Sequence, residues 1–239
     1  MKKKIALLII LVLILSLVGG TVYYVNDYYH AEETAVSLIT APKENVMVTE
    51  ENGVFTFEPK NAVSGIVFYP GGKVQAEAYA PLMHSLAQNG ILCVLVSMPA
   101  NLAVLDVNAA EGICEKHPSV KSWYMAGHSL GGSMAASFVA ENSNRFDGII
   151  LLAAYSTVDL TDSGLEVLSI YGSNDGVLDM EKYEGYKPNL PENLEELVIE
   201  GGCHAYFGSY GLQEGDGNPT VTPEEQIKIT VEKIIEKIN

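Results

Sequence analysis

Six consecutive apolar residues, Ile91-Leu92-Cys93-Val94-Leu95-Val96, constrain this chain more than any other stretch. A strand without polar alternation has no solvent face. It must be covered on both sides, which is the setting of a parallel sheet between helices. The strand expected at 91–97 has companions of similar character at 65–69, 123–126, 148–153 and 167–171, a shorter one at 197–199, and a more mixed one at 54–57. Helical spacing separates them at 76–88, 107–116 and 132–141. A last helix opens with Thr222, Pro223 and Glu225 as a capping box, and Ile227, Val231, Ile234, Ile235 and Ile238 share one face. The alternation predicts an α/β domain with a mainly parallel sheet flanked by helices, and sites at the carboxyl ends of its strands.

The amino terminus is of another kind. Lys2, Lys3 and Lys4 precede an apolar run at 5–25, which as a helix would be about 31 Å long, roughly one hydrocarbon core. Tyr23, Tyr24, Tyr28 and Tyr29 follow where interfacial aromatics sit, and the lysines favour the cytoplasmic side. The expected division is a basic segment at 1–4, a transmembrane signal-anchor at 5–25, a tether at 26–44 with a helix near 31–39, and a catalytic domain at 45–239. Val18-Gly19-Gly20 also fits a cleavage site, so the run reads either as a retained anchor or as a cleaved signal peptide. The domain is expected outside the cytoplasm in both cases, at the cell membrane if the anchor stays and secreted if it is cut. The run does not end in a cysteine, which excludes a lipoprotein signal.

Composition narrows the partners. After Val25 there are 11 bases and 30 acids, a net charge of -19, with Arg145 the sole arginine. Such a surface repels phosphate backbones, so no nucleic-acid partner is expected. Cys93, Cys114 and Cys203 lack metal-ligand spacing, and no ligand cluster suggests a metal or another cofactor.

Chemistry concentrates at four loops. Gly127-His128-Ser129-Leu130-Gly131-Gly132 lies between a strand and a helix. A serine hydroxyl becomes a useful nucleophile when a tight turn exposes it and a base lies beside it. The flanking glycines make that turn possible, and the N–H of Leu130 at the helix start can receive an oxyanion. An acid and then a histidine are required downstream. Asp175 follows the strand at 167–171, ahead of the rival acids Asp159, Asp162 and Asp179, and His204 follows the last strand. The other histidines are His30, His84, His117 and His128, the last adjacent to the serine in sequence and poorly placed to reach its hydroxyl. Cys203 has no elbow of its own and reads as packing. Tyr69-Pro70-Gly71-Gly72, after the strand at 65–69, offers Gly72 or Gly71 as the second oxyanion donor.

These loops together resemble the α/β-hydrolase superfamily, and most of all its compact branch similar to dienelactone hydrolases, over residues 45–238. The resemblance implies a nucleophile at Ser129, an acid at Asp175, a base at His204 and no cofactor. Dienelactone hydrolases proper carry cysteine in the elbow, so Ser129 shifts the expectation from lactone opening to carboxylic ester hydrolysis. Only about a dozen residues separate Ala153 from the next strand, too few for a helical cap, so an open site is expected, with Tyr206, Phe207 and Met98 as its walls. The expected substrate is a small ester or an acylated extracellular molecule. Acyl transfer or peptide cleavage by the same three residues, or a non-catalytic binding module on the same scaffold, are the competing readings.

Overall fold

The structure, a computed structural model, describes residues 2–41 and 45–238. Its centre is one eight-stranded sheet made of β1 (Val46–Glu51), β2 (Val54–Pro59), β3 (Ser64–Tyr69), β4 (Ile91–Val96), β5 (Ser122–His128), β6 (Gly148–Leu152), β7 (Glu166–Gly172) and β8 (Glu195–Ile199). The strand order is β1-β2-β4-β3-β5-β6-β7-β8. β1 and β2 pair antiparallel, as do β2 and β4, and every other pair is parallel. β3, β4 and β6 are buried along their whole length, as their unbroken apolar sequences require.

Strand alternation sorts the core into two layers. Ile66 and Phe68 of β3 face one layer, which is closed by α2 (Glu33–Thr40), α3 (Ala80–Gln88) and α7 (Pro223–Ile238). Val67 and Tyr69 face the other, closed by α4 (Ile113–Lys116) and α5 (Leu130–Glu141). The capping box of α7 forms in both directions: Glu225 N–H donates to Thr222 Oγ1 at 3.2 Å, and Thr222 N–H donates to Glu225 Oε2 at 2.8 Å. The thirteen residues between β6 and β7 contain no helix, so no cap covers the sheet there.

Three expectations change. The helix expected over 107–116 is confined to α4, because Tyr69 Oη donates to Val107 O and accepts the Ala110 N–H, both at 2.8 Å, while Gly112 takes φ +76°. Backbone groups satisfied by a buried hydroxyl are not free to build a helical ladder. β1 and the short α6 (Met180–Tyr186) have no counterpart among the expected elements; Asp179 caps α6 by accepting the Lys182 N–H at 3.1 Å. The stretch expected as a tether is largely part of the domain. Ala35 of α2 is fully buried, and Tyr29 forms a parallel bridge with Val74. The apolar side chains of Ala31, Leu38 and Ile39 against the core supply the reason. Residues 42–44 of that stretch, Met1 of the basic segment and Asn239 of the domain lie outside the described residues.

The amino-terminal run is one helix, α1 (Lys2–Asn26), whose window Ile9–Asn26 is long and apolar enough to cross a membrane.

Candidate active site

The four loops, which follow β3, β5, β7 and β8, converge near the point between β3 and β5 where the sheet order reverses. Such a switch point opens a crevice between outgoing loops. Ser129 ends the turn between β5 and α5 with φ 52° and ψ -124°, a conformation that strains a side-chain-bearing residue and lifts the hydroxyl out of the sheet. Glycine is required on both sides. A Cβ on Gly127 would lie 2.6 Å from the Gly131 carbonyl carbon, and one on Gly131 would lie 2.2 Å from Pro70 O.

Asp175 and His204 meet from different loops. Asp175 Oδ2 lies 2.9 Å from His204 Nδ1, and both side chains are almost fully buried. Asp175 Oδ1 accepts the N–H groups of Val177 at 2.9 Å and Leu178 at 2.7 Å, which holds the carboxylate in register. Nδ1 is the ring nitrogen held against the carboxylate, so Nε2 is the one turned away from it. His204 Nε2 is buried without a protein partner among the described residues, and the residue borders the same pocket as Ser129. Among the rival acids, Asp159 and Asp162 are exposed, Asp159 accepting from Thr161, while Asp179 caps α6 at the pocket rim.

The oxyanion candidates separate. Gly71 donates its N–H to Tyr79 Oη at 3.0 Å and is engaged. Among the described residues, the N–H groups of Gly72 and Leu130 have no protein acceptor. The two residues are neighbours across the crevice, since a Cβ on Gly72 would lie 3.0 Å from Leu130 Cδ2. Behind the loop, Tyr79 Oη lies 2.7 Å from His128 Nδ1. The hydroxyl accepts from Gly71 and shares a second hydrogen bond with the ring. Burial, helped by the nearby His204, pushes the His128 pKa well below the ordinary imidazole value and keeps it neutral.

The pocket has a volume of about 420 Å³ and walls that differ from those expected. Phe207 is fully buried and Met98 nearly so, in the two opposite core layers, and Tyr206 packs on the edge of the first. None of the three borders the pocket, which is lined by Leu130, Ser133, Tyr155, Val177, Leu178 and Lys182 beside Ser129 and His204. The short turn Ala205–Phe207 rotates Phe207 inward, where its apolar area is removed from water. Tyr155 stacks on Tyr186 with ring centroids 5.3 Å apart. Cys203 is packing: the Gln226 side chain accepts its N–H and donates to its carbonyl, and burial with the Asp216 charge pushes its thiol up to about 12.

Asp216, to which the sequence reading gave no role, supports the loops of the site. Its carboxylate accepts the N–H groups of His204 at 3.0 Å, Ala205 at 2.8 Å and Gly176 at 3.2 Å, so it joins the acid loop to the histidine loop. Burial works to raise its pKa, yet these donors outweigh it and hold the carboxyl below its ordinary value. The one signal in the sequence is an Asp-Gly pair beyond the histidine, and nothing local says where its carboxylate points.

A sequence model described as the Alpha/beta hydrolase family matches residues 65–228. The chain belongs to that family. Among curated proteins none matches it. Similar solved structures include a predicted CIB-like hydrolase from Thermoplasma acidophilum, with a TM-score of 0.58 and 18% identity over 80% of this chain and 99% of that one. Est1E from Butyrivibrio proteoclasticus gives 0.57 and 16%, over 82% and 99%. A soluble variant of monoglyceride lipase from Saccharomyces cerevisiae gives 0.58 and 11%, over 81% and 94%. At such identities the likeness of this alpha/beta hydrolase to them is one of fold.

Proposed function

We propose that this protein is an exported, membrane-anchored serine hydrolase that cleaves carboxylic esters through Ser129, His204 and Asp175. The observation that carries the reading is the buried Asp175–His204 pair at 2.9 Å, which leaves Nε2 unpartnered and puts His204 on the pocket that also holds Ser129 on its strained turn. Ser129 Oγ attacks the ester carbonyl carbon while His204 Nε2 takes its proton, and Asp175 stabilises the imidazolium. The tetrahedral oxyanion sits between the N–H groups of Leu130 and Gly72, each donor being worth about 3–4 kcal/mol. His204 then gives the proton to the departing alcohol. Water, deprotonated by the same nitrogen, attacks the acyl-enzyme and releases the acid and free Ser129. A pocket walled by Tyr155, Val177, Leu178 and Lys182, with no cap above it, fits a small ester or an acyl group on a larger molecule.

Anchoring is supported by α1, whose side chains from Ile9 to Asn26 are all exposed on a helix of membrane-spanning length. Sequencing the amino terminus of the mature protein separates a retained anchor from a cleaved signal.

The test of the chemistry is fluorophosphonate labelling of the full chain in detergent, read by peptide mass spectrometry beside Ser129→Ala. Label on Ser129 that disappears in the variant is the expected result. No label on folded protein would overturn the reading in favour of a binding module.

A further inference from the structure

The chain leaves α1 at the edge of the sheet that carries Ser129. The end of α1 touches the turn Pro99–Asn101 beyond β4. Asp27 Oδ2 lies 2.6 Å from Lys73 Nζ, which also sits 4.6 Å from the centre of the Tyr24 ring. Tyr29 donates its N–H to Lys73 O at 2.7 Å and accepts the Gln75 N–H at 3.0 Å. On the other side, Glu32 N–H donates to Ser209 O at 2.9 Å, and Tyr29 Oη accepts the Glu214 N–H at 3.1 Å. Residues 27–32 are therefore stitched to the loop bearing Gly72 and to the segment that follows His204. A helix that continues into a bilayer from this point carries the catalytic edge down to its surface.

Outside α1, eight large apolar side chains are exposed among the described residues. Five of them, Val104, Leu105, Met180, Tyr186 and Leu212, lie on segments beyond the carboxyl ends of β4, β7 and β8, the edge where α1 ends. Single exposed apolar residues are ordinary, but five on segments that leave the sheet at one edge, the edge where α1 ends, suit a surface that faces a membrane. The domain is too acidic for electrostatic attraction to anionic lipid, so apolar contact and the helix are the remaining means of orientation.

We propose that the catalytic edge rests on the bilayer, with Leu105 and Leu212 in its interface, and that the substrate is an ester whose hydrocarbon chain lies in that membrane. The inference rests on the reading of α1 as a retained anchor and of Ser129 as the nucleophile. It adds an orientation, and it moves the substrate from solution to the lipid surface.

The test uses the full chain in phosphatidylcholine vesicles. Flotation with the vesicles is measured first, since failure to float overturns the anchor and this proposal with it. An environment-sensitive fluorophore is then placed through Leu105→Cys, Leu212→Cys or Val63→Cys, each with Cys114→Ser, because Cys93 and Cys203 are buried. Val63 is exposed at the opposite edge, just before β3. Blue-shifted emission quenched by spin-labelled lipid is expected at 105 and 212 and not at 63. Water-like emission at all three positions in floating protein overturns the orientation while leaving the serine chemistry intact. Finally, 4-methylumbelliferyl oleate in the vesicles is compared with the soluble acetate. The double change Leu105→Asp and Leu212→Asp is expected to lower oleate turnover about tenfold and leave acetate turnover within twofold. Equal effects on both esters, or none on either, overturn the membrane-borne substrate.

Discussion

The carboxylate of Asp216 accepts the backbone N–H of His204 at 3.0 Å, although the two stand twelve positions apart. The same carboxylate holds Gly176, next to Asp175, so one side chain sets the distance between acid and base. Asn at 216 would turn an amide N–H₂ against these donors. Asp216→Asn is expected to lower kcat by about ten- to a hundredfold with KM little changed, because a misplacement near 1 Å costs that much. Steady-state kinetics and the rate of fluorophosphonate labelling check it, and a change confined to KM would argue against a positioning role.

The same residue predicts acid sensitivity. A carboxyl whose folded pKa lies below its ordinary value stabilises the fold above that ordinary value, about 3.9, and loses the contribution as pH falls through the folded value. The native protein should therefore lose stability below about pH 4 through this group. Asp216→Asn should lack that component, as denaturant unfolding across pH 3 to 6 would show.

His128 acts in a higher range. It is buried and neutral, so an unfolded chain binds its proton first as pH drops below about 6.5. Stability falls from there by up to about 1.4 kcal/mol for each pH unit. His128→Gln should be less stable at pH 8 and show a flatter decline between pH 6.5 and 5. Parallel curves for variant and native protein would contradict a neutral buried imidazole.

Tyr79→Phe removes the hydroxyl between Gly71 and His128 and leaves a buried N–H without an acceptor. A loss of about 1–3 kcal/mol in stability is expected. Because the neighbouring Gly72 N–H is an oxyanion donor in the proposed mechanism, kcat should fall further than unfolding alone explains. Measurement at a temperature where the variant is fully folded separates the two effects.

Asp175→Asn leaves the shape of the site but lets the wrong nitrogen of His204 carry the proton. A fall in kcat on the order of 10⁴-fold is expected. Native-like activity would transfer the role to another acid, with Asp179 at the pocket rim the first to examine.

Local chemistry was readable in the sequence where it acts over a few residues. The apolar runs of β3, β4 and β6 declare a sheet covered on both faces, the capping box opens α7 where Thr222, Pro223 and Glu225 stand, and the glycines around Ser129 mark a turn that a Cβ would block. Tertiary structure alone decided what depends on a partner far along the chain. Nothing local tells that Tyr69 Oη replaces a helix at 107–112, that Phe207 turns inward while Tyr155 and Lys182 line the pocket, or that residues 27–32 bind the loops of the site. A periodic pattern reports how much of an element is covered. It carries no record of which distant backbone donor a carboxylate such as Asp216 will meet, because that is set only when the strands pair and their loops are brought together.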